Sequence, residues 1–466
     1  MRIETDTLGD IEVPGDALYG AQTQRAVENY PVSGLREHPA FIRAFILLKK
    51  AAALANRELE VLQPTTAGAI VAACDRILGD FDRYRAQFPV DVFQAGAGTS
   101  FNMNCNEVLA NLANISLGGA AGRYTPVHPN DHVNMAQSTN DVFPTAIRLA
   151  ALFLLGELFP LLDQLVDALD TKGSEFAHVI KSGRTHLQDA VPVTLGQEFK
   201  AYAAAIRRAT RLLRDAADEL RDLGIGGTAA GTGLNAPAGY RLVVVRHLIA
   251  LTGLELRPQD DLREAMQSQL PVVAVSAALR NLALELTRVA NDLRLLASGP
   301  HTGLAEIILP AVQPGSSIMP GKVNPSLLEC LNQICFHIIG ADTAVGYASQ
   351  AGQLELNVMM PLMAFEVTFS IDILRNFLPI FVEKCIRGIE ADRARNEAYY
   401  LSSPSLATAL NPLIGYARAA EVAKESARTG TPIPQLLREK KLLSEEEIAR
   451  IFTPDFLAGQ ADRKDR

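Results

Sequence analysis

The chain has 466 residues, 48% hydrophobic and 21% charged, with a formal net charge of −8. That balance excludes the disordered class. An acidic chain also gains nothing from counterion release, which argues against nucleic acid as a partner while leaving room for a local positive site for a small anion.

At roughly 150 residues per domain the length predicts about three domains, with boundaries expected at 1–140, 141–395 and 396–466. The opening, "MRIETDTLGDIEVPGD", is charged and has no apolar h-region, so no signal peptide is expected. Its alternation predicts a short hairpin around Gly9-Asp10. The rest of the first domain mixes short helices with loops rich in Asn, Gly and Pro. The most apolar stretch, Leu149 to Leu169, is interrupted by Glu157, Pro160 and Asp163. It falls short of a clean ~20-residue membrane span and reads as a buried helix. Further on, Ile206, Ala209, Leu213, Ala216, Leu220 and Leu223 share one helical face. The segment Val272 to Ser298 is apolar nearly all round and belongs in a core or a subunit interface. From Asn396 the elements shorten. Strand alternation is scarce, and the prediction is an all-α protein with long central helices. The five cysteines, Cys74, Cys105, Cys330, Cys335 and Cys385, are odd in number and form no CxxC pair. They read as reduced and cytosolic.

Three motif likenesses fail on mechanism. Gly224-x-Gly226-x-x-Ala229 resembles a dinucleotide fingerprint, yet a charged helix precedes it where a strand is needed; close backbone approach to a ligand or another chain explains the glycines better. Gly315 with Gly321-Lys322 resembles a phosphate loop, but the spacing is one residue too long and Val323 stands where Ser or Thr should. His128 and His132 have a zinc-like i, i+4 spacing, but "PND" between them should break the helix it requires, leaving solvated loop histidines.

Four other clusters are harder to dismiss. "QAGAGTSFNMNCNE" presents Thr99, Ser100, Asn102 and Asn104. "NMAQSTNDVFPT" presents Ser138, Thr139 and Asn140, and "SGRTHLQDAVP" presents Thr185 and His186. "GSSIMPGKVNP" presents Ser316, Ser317, Lys322 and Asn324 in a run with no helix or strand character. Any one alone reads as a helix N-cap. Together, hydroxyls, amides and a lysine form a carboxylate-binding set. No metal-ligand cluster accompanies them, so no metal or cofactor is expected and the substrate would be held by direct hydrogen bonds.

"SSIMPGKVNP" closely resembles the signature of the aspartase/fumarase superfamily, and the other three clusters resemble its blocks in the same order. The likeness runs from "TDTLGDIEVPGDALYGAQTQRAVENYPVSG" to "ALNPLIGYARAAEVAKESARTG". It implies a three-domain, mainly helical fold with a long central bundle. It also implies a cytoplasmic homotetramer with a twenty-helix core and active sites shared by three chains. Within the superfamily, "GAGTSFNMNCNEV", "LQDAVP" and "NQICF" resemble the ammonia-lyases acting on aspartate more than the fumarases.

The implied reaction is reversible anti-elimination of ammonia from L-aspartate to give fumarate through an aci-carboxylate. The resemblance makes Ser316 the base. Thr99, Ser138, Thr139 and Ser317 would hold one carboxylate, and Lys322 and Asn324 the other. Asn140 and Thr185 would hold the ammonium. His186 is the alternative base on generic grounds, with Glu329 as its expected partner; the resemblance makes it a binder of the α-amino or α-carboxylate end. Neither nucleic acid nor membrane is an expected partner. Three departures from the family pattern stand outside these blocks: His301-Thr302 where Arg then Cys or Ala is usual, Met360 where Glu or Lys is usual, and Pro404-Ser405 in a stretch usually reading "SIGIVT". They bear on subunit packing, lid closure or the exact substrate, not on the reaction class. The competing readings are a class II fumarase, which His186 and Glu329 suit, a lyase for an N-substituted aspartate, which Met360 and His301 keep open, and a catalytically silent structural relative. Intact Ser316, Lys322, Asn324 and His186 argue against the last.

Overall fold

The computed structural model describes residues 1–458. The chain is mainly helical, and its strands form only two-stranded pairs among the described residues. Residues group into two compact units: 1–159, 211–283 and 336–375 in the first, and 160–210, 284–335 and 376 onward in the second. Five long helices, Thr139–Glu175, Leu195–Asp218, Leu270–Leu296, Ser326–Gln350 and Met360–Lys384, contribute residues to both.

In the first unit, strands Arg2–Asp6 and Gly9–Val13 pair antiparallel with Asp6 opposite Gly9. The hairpin is the expected one, but its turn is Thr7-Leu8. The core of this unit is an aromatic cluster. Phe41, Phe45, Phe101 and Phe143 are fully buried, with neighbouring ring centroids between 5.0 and 6.1 Å. Each such pair contributes about 0.5–1.5 kcal/mol beyond area burial. Phe101 and Phe143 lie within the first turns of the helices that begin at Thr99 and Thr139, so the core fixes where those two helices start.

The Leu149 to Leu169 stretch forms part of the helix Thr139–Glu175, which runs through Pro160 without a break. By length and composition this helix passes for a membrane span, but 67% of its most apolar window is buried inside the chain, as a core helix requires. Leu270–Leu296 passes the same test with 44% buried. The predicted helix over 206–223 ends at Asp218, followed by a short 3-10 turn and a two-residue strand at Leu223. Its buried face uses Ala217 rather than Ala216.

The second unit contains a hairpin that the sequence reading missed, Ile180–Thr185 with Gln188–Thr194. A bulge between Ser182 and Arg184 interrupts its alternation. Gly183 permits it, because a Cβ there would meet the Val191 carbonyl oxygen at 2.5 Å. A small cluster built on Leu406, Leu410, Val422, Ile433, Leu437 and Ile451 packs with Ile180 at the base of this hairpin.

Candidate active site

The first unit brings Ser138, Thr139 and Asn140 together at one helix start. Ser138 N–H donates to Asp141 Oδ1 at 2.9 Å, and Asn140 N–H donates to Ser138 Oγ at 3.2 Å. This is capping-box logic with Asp in the reaching position, so capping does account for the backbone of Ser138. It does not account for Thr99. The helix Thr99–Ser116 follows Gly98 at φ 85° and has no side-chain cap. Gly98 is required there, since a Cβ would lie 2.0 Å from the Phe143 ring.

Asn102 is buried and donates Nδ2 to Thr139 Oγ1 at 2.9 Å. The hydroxyl oxygens of Ser138 and Thr139 therefore accept from within the protein, and each O–H hydrogen is left to donate outward. Both line a cavity of about 350 Å³ with Asn102, Asn134, Gln137 and Thr228. Thr99 stands exposed one turn before Asn102. Asn104, grouped with these residues from the sequence, turns away to donate to the Gln87 carbonyl at 2.9 Å.

Two charged residues behind this cavity escaped the sequence reading. Lys49 is fully buried and donates Nζ to Asn134 Oδ1 and Gln137 Oε1, both at 3.0 Å. Burial pushes its ammonium pKa down to about 7. The available signal was position: Lys49 shares a helical stripe with Phe45, Ile46, Ala52 and Ala53, all buried. Asp141 is also fully buried. Burial raises its carboxyl to about 6, against the opposing pull of backbone N–H groups at Ser138, Thr228 and Gly226.

His128 and His132 are not plain loop residues. Pro129–Val133 forms one π-helical turn rather than a break. Its backbone uses both rings: His128 Nδ1 accepts from Asn130 and Asp131 N–H, and His132 Nδ1 accepts from His128 N–H at 2.9 Å. Among the described residues no group of three or more His, Cys, Asp or Glu is placed to hold a metal ion.

In the second unit, Thr185 ends a strand and His186 sits at the hairpin tip, exposed. His186 and Leu187 have φ of 55° and 58°. This is the twist a two-residue hairpin turn demands, usually met by Asn-Gly. Two non-glycine residues held there leave the turn strained. The strand beneath is braced by buried charge. Lys181 Nζ lies 2.8 Å from Glu198 and 2.9 Å from Glu306, and Arg184 lies 2.8 Å from Glu306. The expected partner of His186, Glu329, lies within the chain 4.0 Å from Arg294.

Ser316, Ser317, Lys322 and Asn324 share one loop that ends where the helix Ser326–Gln350 begins. Gly315 N–H donates to the Lys322 carbonyl at 2.7 Å, and Asn324 Nδ2 donates to the Gly315 carbonyl at 2.6 Å. A Cβ on Gly315 would meet that Lys322 oxygen at 2.6 Å, so only glycine lets the loop ends close. Inside the loop, Ile318 and Met319 N–H both donate to Ser316 Oγ, at 3.2 and 3.0 Å. Two donors on one hydroxyl oxygen favour its negatively charged form. Lys322 is exposed. Among the described residues of this unit, no hydrogen bond joins the loop to the Thr185-His186 turn.

The three departures lie outside these contacts. His301 and Thr302 are exposed. Met360 is fully buried at the first position of its helix. Pro404 opens a short 3-10 run in which Ser405 Oγ donates to the Asp189 carbonyl on the hairpin at 3.1 Å.

Residues 9–340 match the Lyase family model, and residues 406–459 match the model of the fumarase C C-terminus. Aspartate ammonia-lyase of Pseudomonas aeruginosa is 48% identical over 97% of this chain and 96% of the relative. That of Bacillus subtilis is 47% identical over 97% and 95%, and that of Escherichia coli is 45% identical over 100% and 98%. Among solved structures, a "fumarate lyase:delta crystallin" from Brucella melitensis bound to cobalt superposes with a TM-score of 0.94 at 48% identity, covering 98% of each chain. A class II fumarase from Schistosoma mansoni superposes with a TM-score of 0.92 at 35% identity, covering 97% of this chain and 98% of that one. With a signature loop closed around a doubly donated serine, a family model covering most of its length and full-length relatives near half identity, the chain belongs to the lyase superfamily of aspartate ammonia-lyases and class II fumarases.

Proposed function

We propose that this chain is an aspartate ammonia-lyase, catalysing reversible anti-elimination of ammonia from L-aspartate to give fumarate. The observation that carries the reading is Ser316 Oγ, which accepts two backbone N–H groups in a glycine-closed loop. The Cβ proton of aspartate is weakly acidic, and a serine takes it only as a stabilised alkoxide. Removing that proton puts a second negative charge on the β-carboxylate as the aci form. Donors fixed in advance stabilise it most. Ser138 and Thr139, whose oxygens already accept inside the protein, are such donors, and Thr99 and Ser317 complete the set. Lys322 and Asn324 take the other carboxylate. Asn140 and Thr185 hold the ammonium, with His186 as a binder at the same end. Ammonia leaves as a neutral molecule and needs no general acid.

The reading divides the four clusters of each site among three copies of the chain, within a cytoplasmic homotetramer. It keeps three domains, 1–140, 141–395 and 396–466, with the tetramer built on the middle one. The test is ultraviolet absorbance of fumarate formed by purified protein offered L-aspartate and L-malate in parallel. Absorbance rising with aspartate alone supports the reading. A rise with malate alone replaces it with a fumarase. Silence with both directs the search to N-substituted aspartates.

A further inference from the structure

The glycine-rich segment 224–235 has no part in the reaction as assigned so far. It follows a strand of only two residues, Asp222–Leu223, and borders the first unit's cavity through Thr228, Ala229, Leu234 and Asn235. One carboxylate holds it. Asp141 Oδ2 accepts from Gly226 N–H and Thr228 N–H, both at 3.0 Å, while its Oδ1 accepts from Ser138 N–H at 2.9 Å. Thr228 is kept at φ 55° and Gly226 at φ 94°. A threonine holds that conformation only where its surroundings compensate the strain, and the paired bonds to Asp141 do so. The next carbonyl along, Ala229, accepts from Asn140 Nδ2 at 2.8 Å.

We propose that Asp141 is a positioning residue for the substrate's nitrogen: by clamping residues 226–229 it sets the Asn140 amide with Nδ2 on Ala229 and leaves Oδ1 to accept from the ammonium. The inference rests on the ammonia-lyase reading above. An amide oxygen repels a carboxylate, whereas an ammonium donates to it with a charge-assisted bond. The Asn140 oxygen therefore recognises the amine, while recognition of the carboxylates falls to the hydroxyls and Lys322. Asp141 itself touches no substrate. The glycines serve the clamp from the other side. Gly231 lies at φ 78°, and a Cβ there would meet Arg263 Cα at 2.4 Å, so the loop tolerates no side chain at its outer wall.

The test is steady-state kinetics of Asp141→Asn in the addition direction, varying ammonia at saturating fumarate and then the reverse. Asparagine matches aspartate in shape but turns an NH₂ group toward N–H donors. The KM for ammonia should rise about tenfold or more and that for fumarate by clearly less, because Ser138 shares only one backbone bond with the same carboxylate. A folded variant with unchanged ammonia KM, or a fumarate KM rising in step, overturns the proposal. Gly231→Ala displaces the same loop without touching Asp141 and covers the case in which Asp141→Asn does not fold. An ammonia-selective rise supports the clamp, and an equal or absent effect on the two substrates overturns it. A wild-type protein that makes no fumarate from aspartate overturns the parent reading instead, before any variant is assayed.

Discussion

Ser316→Ala removes one oxygen from a loop and tests the base directly. The two N–H groups at 3.2 and 3.0 Å bond to that oxygen alone. A hydrogen bond to a charged acceptor contributes about 1.5–3 kcal/mol, so the pair offers the alkoxide about 3–6 kcal/mol. Solvent around the half-buried Ser316 holds the free protein at the lower end until bound substrate excludes water. Loss of a general base costs about 10²–10⁴ in rate. The expected outcome is a kcat lower by about 10³ with KM changed little, read from ultraviolet absorbance of fumarate. The melting temperature should hardly move, since substitutions away from the core stay within about 0.5 kcal/mol. Ser317→Ala keeps the base and should lose rate and affinity together. A Ser316→Ala enzyme keeping more than about a tenth of the wild-type kcat would refute the assignment.

Three further outcomes follow from buried groups. Glu306→Gln leaves Lys181 with Glu198 only and strips Arg184 of its carboxylate; breaking a buried pair costs about 3–5 kcal/mol, with the lower end expected because Lys181 keeps one partner. The KM for aspartate should rise with it, because this strand ends in Thr185, and an unchanged melt in denaturant would sink the account. For Lys49 the folded pKa is about 7 against an ordinary 10.5, so the unfolded chain binds more protons between those values. Wild-type stability relative to Lys49→Met should then rise with pH from about 7 to 10.5, by at most ~1.4 kcal/mol per unit; denaturant melts showing a flat or falling difference would contradict it. Gly98→Ala forces a Cβ to 2.0 Å from Phe143 at φ 85° and should cost about 2–4 kcal/mol, visible as a lower melting temperature.

What the sequence made legible were features whose physics is local. Long apolar periods predicted the helices Thr139–Glu175 and Leu270–Leu296, and the absence of any period predicted the loop holding Ser316. The bonding within that loop is local as well, since Gly315, Ser316 and Asn324 make their bonds within ten residues of one another. The hairpin 180–194 was hidden because its bulge at Ser182–Arg184 breaks the alternation by which strands are recognised. Lys49 and Asp141 were hidden for a different reason. A lysine 85 residues from Asn134 and an aspartate 85 residues from Gly226 reveal their roles only once tertiary structure buries them. The zinc likeness was set aside because "PND" should break a helix, and that segment is instead a π-helical turn.

The departure at Met360 carries a consequence for the site. Met360 is fully buried, where the family resemblance places Glu or Lys. The segment before it is held firmly: Met359 N–H donates to Asn357 Oδ1 at 2.8 Å, and Asn357 Nδ2 donates to the Ala348 and Ser349 carbonyls at 3.0 and 2.9 Å. Between them, the Val358 carbonyl accepts from Ala97 N–H at 2.9 Å, two residues before Thr99. Met360→Glu would place a carboxylate in the space a thioether now fills. An unpaired buried charge costs about 3–5 kcal/mol. The positive end of the helix Met360–Lys384 returns up to about 2 kcal/mol, for a net loss of about 1–3 kcal/mol. Strain relieved by moving this segment pulls on Ala97, so the KM for fumarate should rise more than kcat falls. Denaturant melts and steady-state kinetics of Met360→Glu check both parts. A variant as stable as wild type would mean that a partner for the carboxylate is already in place and that Met360 is a replaced ion rather than a packing residue.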